Sequence, residues 1–162
     1  MAKQDNDRNV DESVDEAGSD PRVYELGFHL DPELPTEEVK KAYKEVRTFI
    51  EGMGTIVAEG EPEKIPLSYT ISRQDTAGRR DFDSAYFSWI AYEATPINHA
   101  EVLTSTGVDK RIIRFIDLLT TKDAARHAVE MHELRIKAPE RAENTEESLN
   151  TELDAALENA AV

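Results

Sequence analysis

The sequence predicts an α+β fold, a split βαβ sandwich in which one four-stranded antiparallel sheet carries two helices on one face. Three observations lead there. Between residues 22 and 120 the apolar pattern changes period in the order strand, helix, strand, strand, helix, strand. Start and stop signals bracket both helical segments. The stretch is also long enough to bury a usable core.

Residues 22–30, RVYELGFHL, alternate with period two. Tyr24, Leu26, Phe28 and Leu30 form one set and Val23, Glu25, Gly27 and His29 the other, as in a strand with one buried face. DPELP turns the chain. Thr36 is the expected cap of the first helix, with Glu37 and Glu38 in the first turn, where the helix dipole favours acids. Val39, Tyr43, Val46, Phe49, Ile50 and Met53 follow at helical spacing, and Gly52 and Gly54 are expected to end the helix.

Residues 55–71 read as a long strand interrupted at Pro62 and Pro66, which lack the N–H a ladder needs. Residues 72–84, SRQDTAGRRDFDS, are expected to form a polar loop with Gly78 at its turn. AYFSWIAYEA, residues 85–94, is the third strand. Its Tyr86, Ser88, Ile90 and Tyr92 oppose Phe87, Trp89 and Ala91, and the pattern leaves open which set faces the helices. Thr95 is the expected cap of the second helix, Pro96 its first position and Gly107 its stop. DKRIIRFIDLL, residues 109–119, is the fourth strand, and residues 121–137 form a further helix outside the repeat.

Two split βαβ units in succession make a ferredoxin-like sandwich. Its second sheet face is bare, and the fourth strand makes that face unusual. Ile112, Ile116 and Leu118 share a parity with Lys110 and Arg114, while Ile113, Phe115 and Leu119 share the other with Arg111 and Asp117. A sheet with one solvated face should alternate more cleanly. Something is therefore expected to cover it: the helix at 121–137, a partner protein or a nucleic acid.

The formal net charge is −15. The first 20 residues carry two basic and seven acidic side chains, the last 25 one and seven, and the middle sixteen and twenty. Most of the acidity thus belongs to the ends, which are too poor in apolar residues to offset chain entropy and are expected to be disordered. Leu149, Leu153 and Leu157 recur every four residues, which allows a helix that forms on a partner. The division expected is an acidic extension at 1–20, a domain at 21–120, and a helix with an acidic tail at 121–162.

There is no cysteine, so disulfides and thiolate metal sites are excluded. No apolar run reaches the roughly 20 residues of a membrane span, and no signal-peptide core precedes the domain. A cytoplasmic protein without cofactor is the simplest expectation. GMG at 52–54 ends a helix and is no dinucleotide loop. HAVEMHE at 127–133 lacks two histidines four apart, so it is not a metal motif. His29 and His99 are single and read as structural. No catalytic constellation is present.

The cations of the middle segment fall in groups: Arg73, Arg79 and Arg80 in the polar loop, Lys110, Arg111 and Arg114 at the fourth strand, and Arg22 at the first. Any one loop arginine is more often solvated decoration. Two groups near exposed aromatics suit RNA, because guanidinium groups hold phosphates and rings stack on bases. Phe87, Trp89 and Ile112 are the expected contacts for a partner protein.

Three segments, in order, resemble the bacterial small-subunit ribosomal protein six family: YELGFHL (24–30), LSYTI (67–71) and AYFSWIAYEA (85–94). The likeness continues through TGVDKRIIRF and covers residues 22–120. It implies a constituent of the small ribosomal subunit that binds 16S ribosomal RNA together with small-subunit ribosomal protein eighteen. It places Arg22, Arg111 and Arg114 at the family's RNA positions. Thr70 stands where the family has proline and Ala85 where it has glycine; Ile113 replaces a frequent arginine, and Asp117 interrupts an apolar strand. Two other readings fit the same topology, an RNA-recognition-type single-strand module using Phe87 and Trp89, and a regulatory domain for a small ligand.

Overall fold

The computed structural model describes residues 20–137. Except for Asp20, the extension expected to be disordered lies outside the described residues, as does the tail beyond residue 137. The elements are β1 (Arg22–Leu30), α1 (Thr36–Met53), β2 (Thr55–Asp75), β3 (Gly78–Ala94), α2 (Pro96–Val108) and β4 (Ile112–Thr120). A further helix, α3, occupies residues 122–137. The sheet order is β2-β3-β1-β4, and every neighbouring pair is antiparallel. This is the predicted ferredoxin-like arrangement.

The β1 alternation has the expected consequence. Tyr24, Leu26, Phe28 and Leu30 join Val39, Ala42, Tyr43 and Ile50 of α1 and Val102 of α2 in one core. Pairing with β1 also decides the parity of β3. Tyr24 lies across from Tyr92, Leu26 from Ile90 and Phe28 from Ser88. That row faces the helices, so Phe87, Trp89 and Ala91 occupy the opposite, open face. Ser88 is fully buried in the core row, where its hydroxyl donates to the Gly60 carbonyl at 2.6 Å, satisfying a group that would be costly unpaired.

The helix ends differ in detail from expectation. Thr36 is the first helical residue of α1, Pro35 takes the cap position, and no side chain caps the helix. Gly52 lies inside α1. Gly54 follows it in extended backbone and is needed for space, since a Cβ there would lie 2.2 Å from the Glu93 carbonyl oxygen. In α2, Thr95 caps as expected, its hydroxyl accepting from the Asn98 N–H at 3.3 Å. Gly107 remains within the last turn, and Asp109 takes the C-cap. Asn98 also donates to the Met53 carbonyl at 2.7 Å, so α2 satisfies a terminal acceptor of α1.

The largest correction concerns residues 72–84. They are strand rather than loop, extending β2 and β3 into one long hairpin that turns at Thr76 and Ala77. Gly78 leaves the turn at φ 125, which a side chain would strain. The segment is polar yet two-sided. Thr70, Ser72, Arg79, Asp81 and Asp83 bond across the outer row, with Thr70 and Ser72 donating to Asp83 and Asp81 at 2.5 Å. The inner row pairs Ile71 with Phe82 and Arg73 with Arg80. Phe82 is buried, with both guanidinium groups over its ring at 6.0 and 4.8 Å.

A second correction is a bulge in β4. Leu30 pairs with Ile112 and His29 with Arg114, so Ile113 is the extra residue. The insertion reverses the parity of one residue: Ile112 turns to the core, while Arg114, Ile116 and Leu118 stay on the open face. Lys110 and Arg111 precede the strand instead of beginning it.

Asp117, which interrupts the apolar run of β4, faces α2. There it accepts from His99 Nε2 at 3.0 Å. His99 stacks on Tyr24 with ring centroids 3.5 Å apart, and the Tyr92 hydroxyl donates to its Nδ1 at 2.8 Å. A neutral ring with its proton on Nε2 satisfies both bonds. Burial, then the charge of Asp117, pushes the Tyr92 phenol well above its ordinary range and keeps it a donor. The structural reading of His99 is thereby explained, and Asp117 is its partner.

Candidate nucleic-acid and partner interface

Two surfaces carry most of the predicted site residues: the end of the sheet where β1 stops and β4 starts, and the open face. The long hairpin bends back at the first of these. Arg73 Nη1 donates to the carbonyls of Lys110 at 3.0 Å and Ile112 at 3.3 Å, tying the hairpin to the start of β4. Arg73, Arg80, Lys110, Arg111 and Arg114 thus come together, although Arg73 and Lys110 are 37 positions apart in the chain. Arg79 lies on the hairpin's outer row. Arg22 is at the far end of β1, about 26 Å away at the rise of a strand.

Four of these seven cations are held by the protein's own carboxylates. Arg73 grips Asp75 through two bonds of 3.1 and 3.2 Å. Arg79 meets Asp81 at 3.1 Å. Arg80 reaches Asp31 at 2.8 Å and also pairs with Glu33. Arg111 holds Asp109 through Nε at 3.0 Å and Nη2 at 2.8 Å, and Glu45 of α1 at 2.6 Å. These arginines clamp the hairpin and the α2–β4 turn, and their charge is locally cancelled. Arg114 differs. Among the described residues its guanidinium has no carboxylate partner. It bonds the Tyr69 hydroxyl and lies over that ring at 5.7 Å. Arg22 and Lys110 are likewise exposed without a carboxylate partner among the described residues.

The Arg111 clamp has a pH signature. Its hydrogen bonds hold the Asp109 carboxyl below the ordinary aspartate range. A folded-state value below the unfolded one gives stabilisation that is complete above about pH 4 and is lost as pH falls through the folded value. Asp109→Asn should therefore be less stable than the parent at pH 7, with the gap closing below about pH 4. Thermal melts at pH 7 and pH 3 measure this, and an undiminished gap at pH 3 would contradict it.

On the open face, α3 runs past part of the sheet. Lys122 binds Glu93 at 2.5 Å, Ala125 is fully buried, and Ala128, Met131, His132 and Arg135 border a groove with Glu25, Phe87 and Trp89. The Trp89 indole crosses Gly60 so closely that a Cβ there would lie 2.3 Å from Nε1. Of the three covers expected, the helix supplies one, over part of the face. Phe87 and Trp89 stand beside it, half-buried, and the third residue expected at a partner interface, Ile112, is 7 % exposed and belongs to the core. The bulge at Ile113 is the physical reason.

The rest of the open face is uncovered by the described residues. Tyr69 is 63 % exposed, Ile116 56 % and Leu118 47 %. With Arg114 they form a strip along β4, an edge strand whose outer backbone has no neighbour in the sheet. Arg114 also acts on His29, whose imidazole is held below its ordinary range by burial first and then by that charge. Tyr69, the ring beneath Arg114, was not singled out as a site residue from the sequence, because its contact needs the hairpin to bend. Among the described residues no cluster could hold a metal ion and no helix is long and apolar enough to cross a membrane.

The profile of the family described as Ribosomal protein S6 matches residues 23–118, nearly the span of the resemblance in the sequence. No curated protein sequence matches the chain. Among solved structures, that of 30S ribosomal protein S6 from Thermotoga maritima is similar, with 20% identity over 72% of this chain and 98% of that one and a TM-score of 0.49. The profile match takes in every strand and both core helices and spans more than half of the sequence; the chain belongs to the ribosomal protein S6 family, whose members are structural proteins and not enzymes.

Proposed function

We propose that the protein is a constituent of the small ribosomal subunit, working in the cytoplasm, and that it contacts 16S ribosomal RNA jointly with small-subunit ribosomal protein eighteen. The observation that carries this reading is the strip along β4. It joins a guanidinium with no carboxylate partner among the described residues, Arg114, to an exposed ring, Tyr69, and to the exposed Ile116 and Leu118. A cation and a ring suit phosphate and base; an apolar run along an open strand edge suits a second protein. Placed side by side, they fit a surface that two partners share. Lys110 adjoins the strip, and Arg22 offers a separate point of contact at the other end of β1.

Phe87 and Trp89 fit the protein partner better than RNA bases, because α3 stands beside them. Arg73, Arg79, Arg80 and Arg111 act in this reading by shaping the corner that presents Lys110 and Arg114. The chain's formal net charge is −15, so the isolated chain should bind RNA weakly and the pair of proteins tightly.

Sedimentation of the tagged protein from its own cell tests the proposal. It should travel with small subunits and leave them only in high salt, as a phosphate-dependent contact requires. A protein found at the top of the gradient in low salt would overturn the reading.

A further inference from the structure

On the open face, a groove runs between the bent hairpin and β4. Ile65, Leu67 and Ile71 of β2 and Ile116 of β4 give it an apolar floor, and Tyr69 and Arg114 stand at its rim. Two more exposed cations, Arg135 and Lys137, lie in the last turn of α3. The path of α3 brings that turn toward the groove. Lys122 is fixed to Glu93, beside the start of β1, and His132 lies 4.0 Å from Glu63 of β2. Arg135 stands by Phe87, whose ring is 5.4 Å from that of His29, a wall of the same groove. The last turn of α3 is therefore separated from the groove by one aromatic pair, Phe87 and His29.

The residues that follow have the matching chemistry. Segment 138–162 carries seven acidic side chains against one basic, and places Leu149, Leu153 and Leu157 at four-residue intervals. Pro139 brings no N–H with which to prolong the α3 ladder. The connection from 138 to 148 can span up to roughly 36 Å, so length sets no obstacle. Leucines at that spacing supply one apolar ridge, and the acids around them answer the rim cations. We propose that the acidic C-terminal segment 138–162 docks in this groove of its own chain, with its leucines on the floor and its carboxylates on Arg114, Arg135 and Lys137. The docked segment occupies the cation and ring offered to RNA, so an incoming polyanion has to displace it. The docking itself does not depend on the ribosomal reading.

The chain has no cysteine, so one introduced pair reports one proximity. In the full chain, Ser68→Cys at the groove and Asn150→Cys in the tail are compared with a control pair, Ile97→Cys and Asn150→Cys. Ile97 is exposed on α2, across the sheet. In a thiol–disulfide redox buffer the groove pair should form an intramolecular disulfide with an effective concentration at least about tenfold above the control. Adding Arg114→Glu should bring it down toward the control. Equal effective concentrations in the two pairs would overturn the proposal. So would disulfide-linked dimers forming in proportion to protein concentration, since the occupant would then be a second copy. A groove pair indifferent to Arg114→Glu would overturn the charge contact.

Discussion

Phe28→Ala should lower the free energy of unfolding by about 3–5 kcal/mol, the usual cost of emptying a fully buried aromatic site. Phe28 sits on β1, one of the two central strands, and is 0 % exposed. Its neighbours cannot close the void. Ser88, across on β3, has its hydroxyl committed to the Gly60 carbonyl. Phe115, across on β4, is on the edge strand and already partly in solvent. Small domains hold only about 5–15 kcal/mol in total, so the loss would be a large share of the fold's stability. Urea denaturation should show a lower midpoint with an unchanged slope. Phe115→Ala, at the edge, should cost much less. A Phe28→Ala loss no greater than that of Phe115→Ala would show that the core row is not where the stability resides.

The second large effect separates two arginines that look alike in the sequence. Arg114→Ala should weaken joint binding to the ribosomal RNA, with the slope of log affinity against log salt falling by about 0.7–0.9 for one lost phosphate contact. Arg80→Ala should leave that slope unchanged and lower the urea midpoint instead. The difference follows from their partners. Arg80 holds Asp31, which is buried, and also Glu33 and Asp75. Removing it leaves the buried Asp31 with only the Glu33 N–H as a donor, and a buried carboxylate short of a donor is costly. Among the described residues Arg114 has only Tyr69. Binding measured over a salt series, with denaturation of each variant beside it, separates the cases. An unchanged slope for Arg114→Ala, with a reduced one for Arg80→Ala, would move the RNA contact to the hairpin clamp.

The contrast between these residues shows how far a site can be read from a chain. Arg73, Arg80, Lys110, Arg111 and Arg114 were all visible as cations near aromatics, and the fold does gather them at one corner. Which of them keeps its charge available is a matter of contacts such as Arg80 with Asp31, made between distant parts of the chain. The hairpin was hidden for a similar reason. Residues 72–84 look like a loop because they are polar, and they become strands because each polar side chain finds a cross-strand partner, as Ser72 does in Asp81.

The sequence alone determined the order of elements, the core side of β1 and α1, and the family. These rest on local periodicity and on motifs, which need only neighbouring residues. The tertiary structure decided which face of β3 is buried, that Ile112 turns inward while Arg114 stays out, and that α3 lies over part of the open face. Strand parity depends on the register of the partner strand. One extra residue, Ile113, reverses it, and nothing in the local pattern of apolar residues records that a neighbouring strand has skipped a place.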